Sequence, residues 1–180
     1  MSQNNWYVIT GGPSSGKTTL INELTRQGFK TVPESARTFI DQQLARGKKI
    51  EQIRADEEKF QHQVLGLKIQ TESALSSDET IIFDRGMHDT EAYLRYYDFP
   101  VSSELQKTFG TANYKKVFIL EMLPEFQTDY ARTENQEFAN KITGLLGTAY
   151  KNAGFVVTSV PVLPLKDRAE FICGHIQQAV

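Results

Sequence analysis

The chain has 180 residues, of which 39% are apolar, with 20 basic against 22 acidic side chains and a single cysteine, Cys173. That length holds one domain, at most with a small inserted lid. The near balance of charge leaves no broad basic field for dedicated nucleic-acid binding, and one thiol excludes both an internal disulfide framework and a zinc site of several cysteines.

In chain order, Trp6-Tyr7-Val8-Ile9-Thr10 reads as a first strand. A helix follows from Lys17 to Gln27, closed by Gly28, a residue suited to the left-handed conformation that ends helices. Phe29 to Val32 is a second strand. Asp56 to Leu75 is a long helix in which Phe60, Val64, Leu67, Thr71 and Leu75 step by three or four, predicting one mainly apolar stripe against the sheet. Thr80-Ile81-Ile82-Phe83 is a continuous apolar run, as expected of a strand covered on both faces. His88 to Tyr97 is helical, Pro100 interrupts it, and a shorter helix starts near Ser102 or Ser103. A buried strand spans Val117 to Leu120, and a helix runs from Glu137 to Tyr150 along Phe138, Ile142, Leu145, Leu146 and Ala149. After Gly154 comes the strand Phe155 to Thr158, then a last helix from about Lys166 to Gln178. Strands alternating with helices predict an α/β fold with a parallel sheet. No apolar run reaches the ~18–20 residues of a membrane span, and the polar Met1 to Asn5 segment lacks the layout of a secretion signal. The expected setting is therefore cytoplasmic, with no membrane partner.

Between the first strand and first helix, Gly11-Gly12-Pro13-Ser14-Ser15-Gly16-Lys17-Thr18 fits G-x-x-x-x-G-K-[ST] at every fixed position. Glycines let the backbone curl so that successive N–H groups face phosphate oxygens, and the helix start adds its positive dipole end. Gly11 to Thr19 is thus the expected nucleotide-binding stretch, with Lys17 reaching the β- and γ-phosphates and the Thr18 hydroxyl available to Mg²⁺. Asn140-Lys141-Ile142-Thr143 lacks the Asp of a guanine-reading N-K-x-D segment, which favours ATP.

Ligands of open parallel sheets sit beyond the carboxyl ends of the strands. There, Asp84 after Phe83 is a candidate Mg²⁺-holding acid, or else a cap on the next helix; Arg85, where motor ATPases carry a water-activating Glu, suits an anionic group. Glu34 and Arg37 follow the second strand and share one side of a helical turn, offering a carboxylate to an acceptor hydroxyl and a guanidinium to an anion; the alternative is a local ion pair. Arg132, in the polar Asp129–Glu134 stretch, is a candidate lid arginine or a solvated surface residue, and Glu121 is either a contributor to the same mouth or a rim charge. His62 and His175, each within a helix, have no second ligand at metal spacing; His88, after the Asp84 segment, is read as structural, with lining of the cleft as the alternative, and Cys173 reads as a packed helix residue. The Tyr93, Tyr96, Tyr97, Phe99 group is read as cover for the sheet, with stacking on a ring substrate as the alternative.

Val8-Ile9-Thr10-Gly11-Gly12-Pro13 through Gly16-Lys17-Thr18-Thr19-Leu20, Pro33-Glu34 with Ala36-Arg37, and Phe83-Asp84-Arg85-Gly86 together resemble the compact NadR-like AAA-type P-loop ATPases, a group similar to the nicotinamide riboside kinase domain of NadR and to nucleoside and nucleotide kinases. The resemblance implies a single three-layer α/β/α P-loop domain over residues 1–180, a five-stranded parallel sheet in the order 2-3-1-4-5 and a small helical lid at about 124–136. It also implies ATP and Mg²⁺ at Gly11 to Thr18, Asp84 as the Walker-B-type acid, Arg132 as a lid arginine, and Glu34 and Arg37 facing the acceptor. The chemistry expected is transfer of a γ-phosphoryl group to a small, nucleoside-like acceptor by Lys17, Asp84, Glu34 and Arg132, with Arg85 and Arg37 on the substrate. A nucleotide hydrolase or switch without an acceptor is the second reading. A partner-binding protein with a degenerate site is the third, and the intact Lys17-Thr18 and Asp84 oppose it.

Overall fold

Short, apolar, β-branched runs build the sheet, and each feeds a helix that covers one of its faces. The computed structural model describes residues 4–124 and 136–177. In order the elements are β1 (Trp6–Thr10), α1 (Lys17–Arg26), β2 (Lys30–Val32), α2 (Ser35–Ala45), α3 (Ile50–Ile53), α4 (Glu57–Ser73), β3 (Ile81–Asp84), α5 (Met87–Tyr96), α6 (Ser103–Phe109), β4 (Lys116–Leu120), α7 (Gln136–Asn152), β5 (Val157–Val160) and α8 (Leu165–Gln177). All strand pairs are parallel, in the order β2-β3-β1-β4-β5.

Alternation along the strands divides the core in two. Tyr7, Ile9, Ile82, Phe118 and Leu120 meet α1 and α8 through Leu20, Leu24, Ala169 and Ile172. Trp6, Val8, Ile81, Phe83, Val117 and Ile119 pack on the other face with Tyr114 and with Tyr150 of α7. On that side α5 lies between α4 and α7, and α2 leans on α4. This is the expected α/β/α sandwich with the expected strand order. Among the described residues no helix is long and apolar enough to cross a membrane.

Two strands start later than their side chains suggest. Phe29 N–H donates to Leu24 O at 3.1 Å and Phe155 N–H to Tyr150 O at 3.1 Å, so both residues close the preceding helix rather than join a ladder. β2 therefore begins at Lys30, and β5 at Val157. The long helix is rotated from its expected stripe. Its buried side chains are Phe60, Gln61, Val64, Leu65, Lys68 and Glu72, while Leu67 and Thr71 are only half-buried. The helix packs against other helices rather than flat on the sheet, with Phe60 and Val64 against Ile40 and Ile53 and Leu65 against Met87 and Leu94. The candidate lid, with Asp129, Arg132 and Glu134, lies in 125–135, outside the described residues.

Candidate functional site

β1 runs straight into the glycine-rich loop, and α1 begins at its end. Gly16 takes φ 75°, ψ 16°, a left-handed conformation that an L side chain strains to adopt, so the loop can turn into the helix here only at low cost with glycine. Ser14 is left-handed as well, at φ 60°. The Ser15 hydroxyl is buried with no hydrogen-bond partner among the described residues, a polar atom suited to a phosphate oxygen. Thr18 and Thr19 are exposed on the first turn of α1.

Lys17 is buried and its ammonium contacts Asp84 Oδ1, with Glu34 Oε2 at 3.9 Å. Sheet register explains the meeting: Asp84, the last residue of β3, lies beside Ile9 of β1. Asp84 does not cap the following helix. That position is closed by Asp89, whose Oδ2 accepts from Gly86 N–H at 3.0 Å. Arg85, left-handed at φ 69°, donates its N–H to Ile9 O at 3.0 Å. Its guanidinium donates from Nε to Glu34 Oε1 and from Nη1 to Asp89 Oδ1, both at 2.9 Å. Glu34 stands at the N-cap of α2 without a side-chain cap bond; its carboxylate turns toward Arg85 and Lys17. Four of the sequence-predicted residues, Lys17, Asp84, Glu34 and Arg85, thus form one continuous ionic contact. Arg37 lines the same cleft, which is walled by Pro13, Glu34, Arg85, Asp89 and Tyr93, with Ile40, Phe60 and Val64 as its apolar side.

Sequence reasoning missed the polar support beneath this cleft. Asp89 is fully enclosed and accepts four bonds, including Thr10 Oγ1 at 2.5 Å and Tyr150 OH at 2.7 Å. Burial raises its carboxyl, but Arg85 and Lys68, with the Thr10 and Tyr150 hydroxyls, outweigh it and hold the group below the usual carboxylate range. The buried Lys68 ammonium donates to Gly86 O at 2.5 Å, and burial lowers its pKa. One turn on, Glu72 accepts from Tyr114 OH at 2.5 Å, and burial pushes its carboxyl up to about 7. The spacing Gly86-x-x-Asp89 at a helix start, an acid three residues after the cap, was the available signal for Asp89. Lys68 and Glu72 carried none, since charged residues on a helix read as solvated.

Other candidates lie apart from the cleft. His88 is buried among Phe109, Tyr150 and Phe155, with Nδ1 2.8 Å from Glu91 Oε2. His62 is exposed, His175 rests on Phe171 and Phe118, and Cys173 is half-buried on α8. Glu121 Oε1 accepts from Ser159 Oγ at 2.8 Å. Of the aromatic group only Tyr93 faces the cleft, with the Arg85 guanidinium 5.7 Å from its ring centre; Tyr96 packs on Phe138, and Phe99 joins Leu94 and Phe109.

Among solved structures, NadR in complex with NR is similar over 97% of this chain, at 16% identity and a TM-score of 0.73. The deoxyadenosine kinase of M. mycoides with bound dCTP matches over 96% of this chain and 99% of its own, at 16% identity and TM-score 0.64. Thymidylate kinase from Ehrlichia chaffeensis matches over 96% of this chain and 98% of its own, at 14% identity and TM-score 0.65. The chain spans about half the length of the NadR chains it matches. These likenesses show that the chain shares its fold with those proteins. No curated protein matches the sequence. The family model described as "AAA domain" matches residues 6–168, a span that takes in the glycine-rich loop, Glu34, Asp84 and all five strands. On that match the chain belongs to the AAA domain family.

Proposed function

We propose that the protein is a kinase that transfers the γ-phosphoryl group of ATP to a hydroxyl of a small, nucleoside-like acceptor. The observation that carries this reading is the meeting of Lys17 with Asp84 and Glu34, where the phosphate loop opens onto the Glu34–Arg85 cleft. A donor held by the loop and an acceptor held in the cleft would then present their reacting atoms to the same charged group.

The backbone from Gly11 to Gly16 holds the polyphosphate, Lys17 neutralises its β- and γ-oxygens, and Thr18 and Thr19 complete the first helical turn around it. Glu34 takes the acceptor's hydroxyl proton as the oxygen bonds to the γ-phosphorus and ADP departs. Arg85 and Arg37 orient the acceptor, and Arg132 acts from a lid at about 124–136. The whole works as one domain. Positioning and charge stabilisation supply most of the catalysis in this chemistry. Mg²⁺ fits the donor set, because Asp84 and Thr18 offer hard oxygen ligands and this ion takes few protein ligands beside phosphate. When bound, it offsets charge on the phosphates. The nucleotide-bound NadR and deoxyadenosine kinase structures support the reading by their shared fold.

Mass spectrometry of ATP incubated with nucleosides, nicotinamide riboside and nucleotides tests it: a phosphorylated acceptor is expected. Slow phosphate release indifferent to every acceptor would establish a hydrolase or switch instead. Lys17→Ala is expected to abolish ATP binding in a calorimetric titration, and unchanged affinity would remove Lys17 from the phosphate site.

A further inference from the structure

The guanidinium of Arg168 sits behind the phosphate loop, brought there by α8 from the far end of the sequence. It is 3% exposed, and Nη1 donates to Ser15 O at 2.9 Å, with a longer contact of 3.5 Å from Nη2 to Glu121 O. Nη1 is also 3.1 Å from the position a Cβ would take on Gly16, so the side chain lies directly against the Ser15–Gly16 peptide. Its base is fixed, since α8 packs on α1 through Ala169, Ile172 and Ile176 against Leu20 and Leu24.

We propose that Arg168 is a positioning residue for phosphate binding, one that sets the orientation of the Ser15–Gly16 peptide plane. In a planar trans peptide the C=O and the following N–H point in opposite directions. Holding the Ser15 carbonyl toward α8 therefore turns the Gly16 N–H to the other side, away from α8 and toward the side on which a phosphate held by the loop's amides would lie. Gly16 is left-handed, as Ser14 is, but glycine has the wider conformational freedom, so the plane that ends at Gly16 is free to rotate unless something holds it. A buried guanidinium is also a demanding tether: its Nε has no partner among the described residues, and its acceptors are neutral carbonyls rather than a carboxylate. An apolar side chain would hold α8 to α1 without that desolvation. The charge also lies behind a loop whose function is to bind anions.

The inference rests on the reading of Gly11 to Thr18 as a phosphate site, and the test separates the two. Mg²⁺–ATP, tripolyphosphate and adenosine are titrated into the wild type, Arg168→Gln and Arg168→Lys, with melting temperatures and the Gly16 amide signal recorded. For Arg168→Gln, ATP and tripolyphosphate are expected to bind about tenfold more weakly, the scale of one lost well-placed hydrogen bond. Adenosine affinity is expected to be unchanged, and the ATP-induced shift of the Gly16 amide to be lost. Arg168→Lys, which keeps one donor for Ser15 O, is expected to recover part of the affinity. If the wild type binds neither ATP nor tripolyphosphate, the phosphate-site reading fails and the inference with it. If the wild type binds but Arg168→Gln binds equally well, or loses ATP and adenosine alike as its melting temperature falls, Arg168 is an anchor for α8 and the positioning role is overturned.

Discussion

Asp89 shows how one buried charge can set the conformation of its neighbours. It takes a proton-bearing group from Thr10 of β1, from the Arg85 side chain, from the Gly86 backbone and from Tyr150 of α7. Arg85 is left-handed, a conformation costly to a non-glycine residue, and its ion pairs with Asp89 and Glu34 hold it there. Asparagine is nearly isosteric but carries one acceptor oxygen and places an NH2 group against donors. Asp89→Asn is therefore expected to destabilise the fold by about 3–5 kcal/mol, the range for one partner lost from a buried pair. Urea denaturation reads this loss. In the variant that still folds, the acceptor KM is expected to rise more than the ATP KM, because Arg85 faces the cleft.

The start of α5 is where several elements touch. Gly86 N–H donates to Tyr150 OH at 3.1 Å, Met87 N–H donates to Tyr114 OH at 2.9 Å, and Gly86 O accepts from Lys68 of α4. A Cβ on Gly86 would come within 2.6 Å of Tyr150 Oη and 3.0 Å of the Tyr114 ring, both fully buried. Gly86→Ala is expected to cost about 1–3 kcal/mol by overpacking and to displace Arg85, read as a lower melting temperature together with weaker acceptor binding. Much of this element layout was legible beforehand, because β1, the phosphate loop and β3 are local patterns: an apolar run, a fixed spacing, an Asp at the end of the Thr80–Phe83 run. The face that α4 buries was not. Its stripe read as apolar by counting Leu67 and Thr71, whereas Lys68 and Glu72 go inside because Gly86 O and Tyr114 OH wait there as partners. The four-residue α3 was too short to show a period, and Arg168 meets Ser15 only through the packing of α8 on α1.

At the scale of the molecule, the Glu72 carboxyl makes stability depend on pH. Its folded value of about 7 lies above the ordinary glutamate value, so between roughly pH 4.5 and 7 the folded state holds a proton that the unfolded chain has released. Stability from this group is thus full at the acid end of that window and declines as pH rises toward 7, by on the order of 3 kcal/mol in all. Glu72→Gln, which keeps an acceptor for Tyr114 OH, is expected to flatten the fall in melting temperature between pH 5 and 7.5 measured for the wild type. The strand order bears on how the chain is made. β1 is central, yet both of its neighbours, β3 and β4, are encoded far downstream. During synthesis the first strand has neither edge satisfied until residues 81–84 emerge, and its second edge waits for 116–120. Such distant pairing folds slowly and leaves a sticky intermediate. A ribosome stalled before Lys116 would display the strand that leads into the phosphate loop with one side bare, a natural substrate for a nascent-chain chaperone.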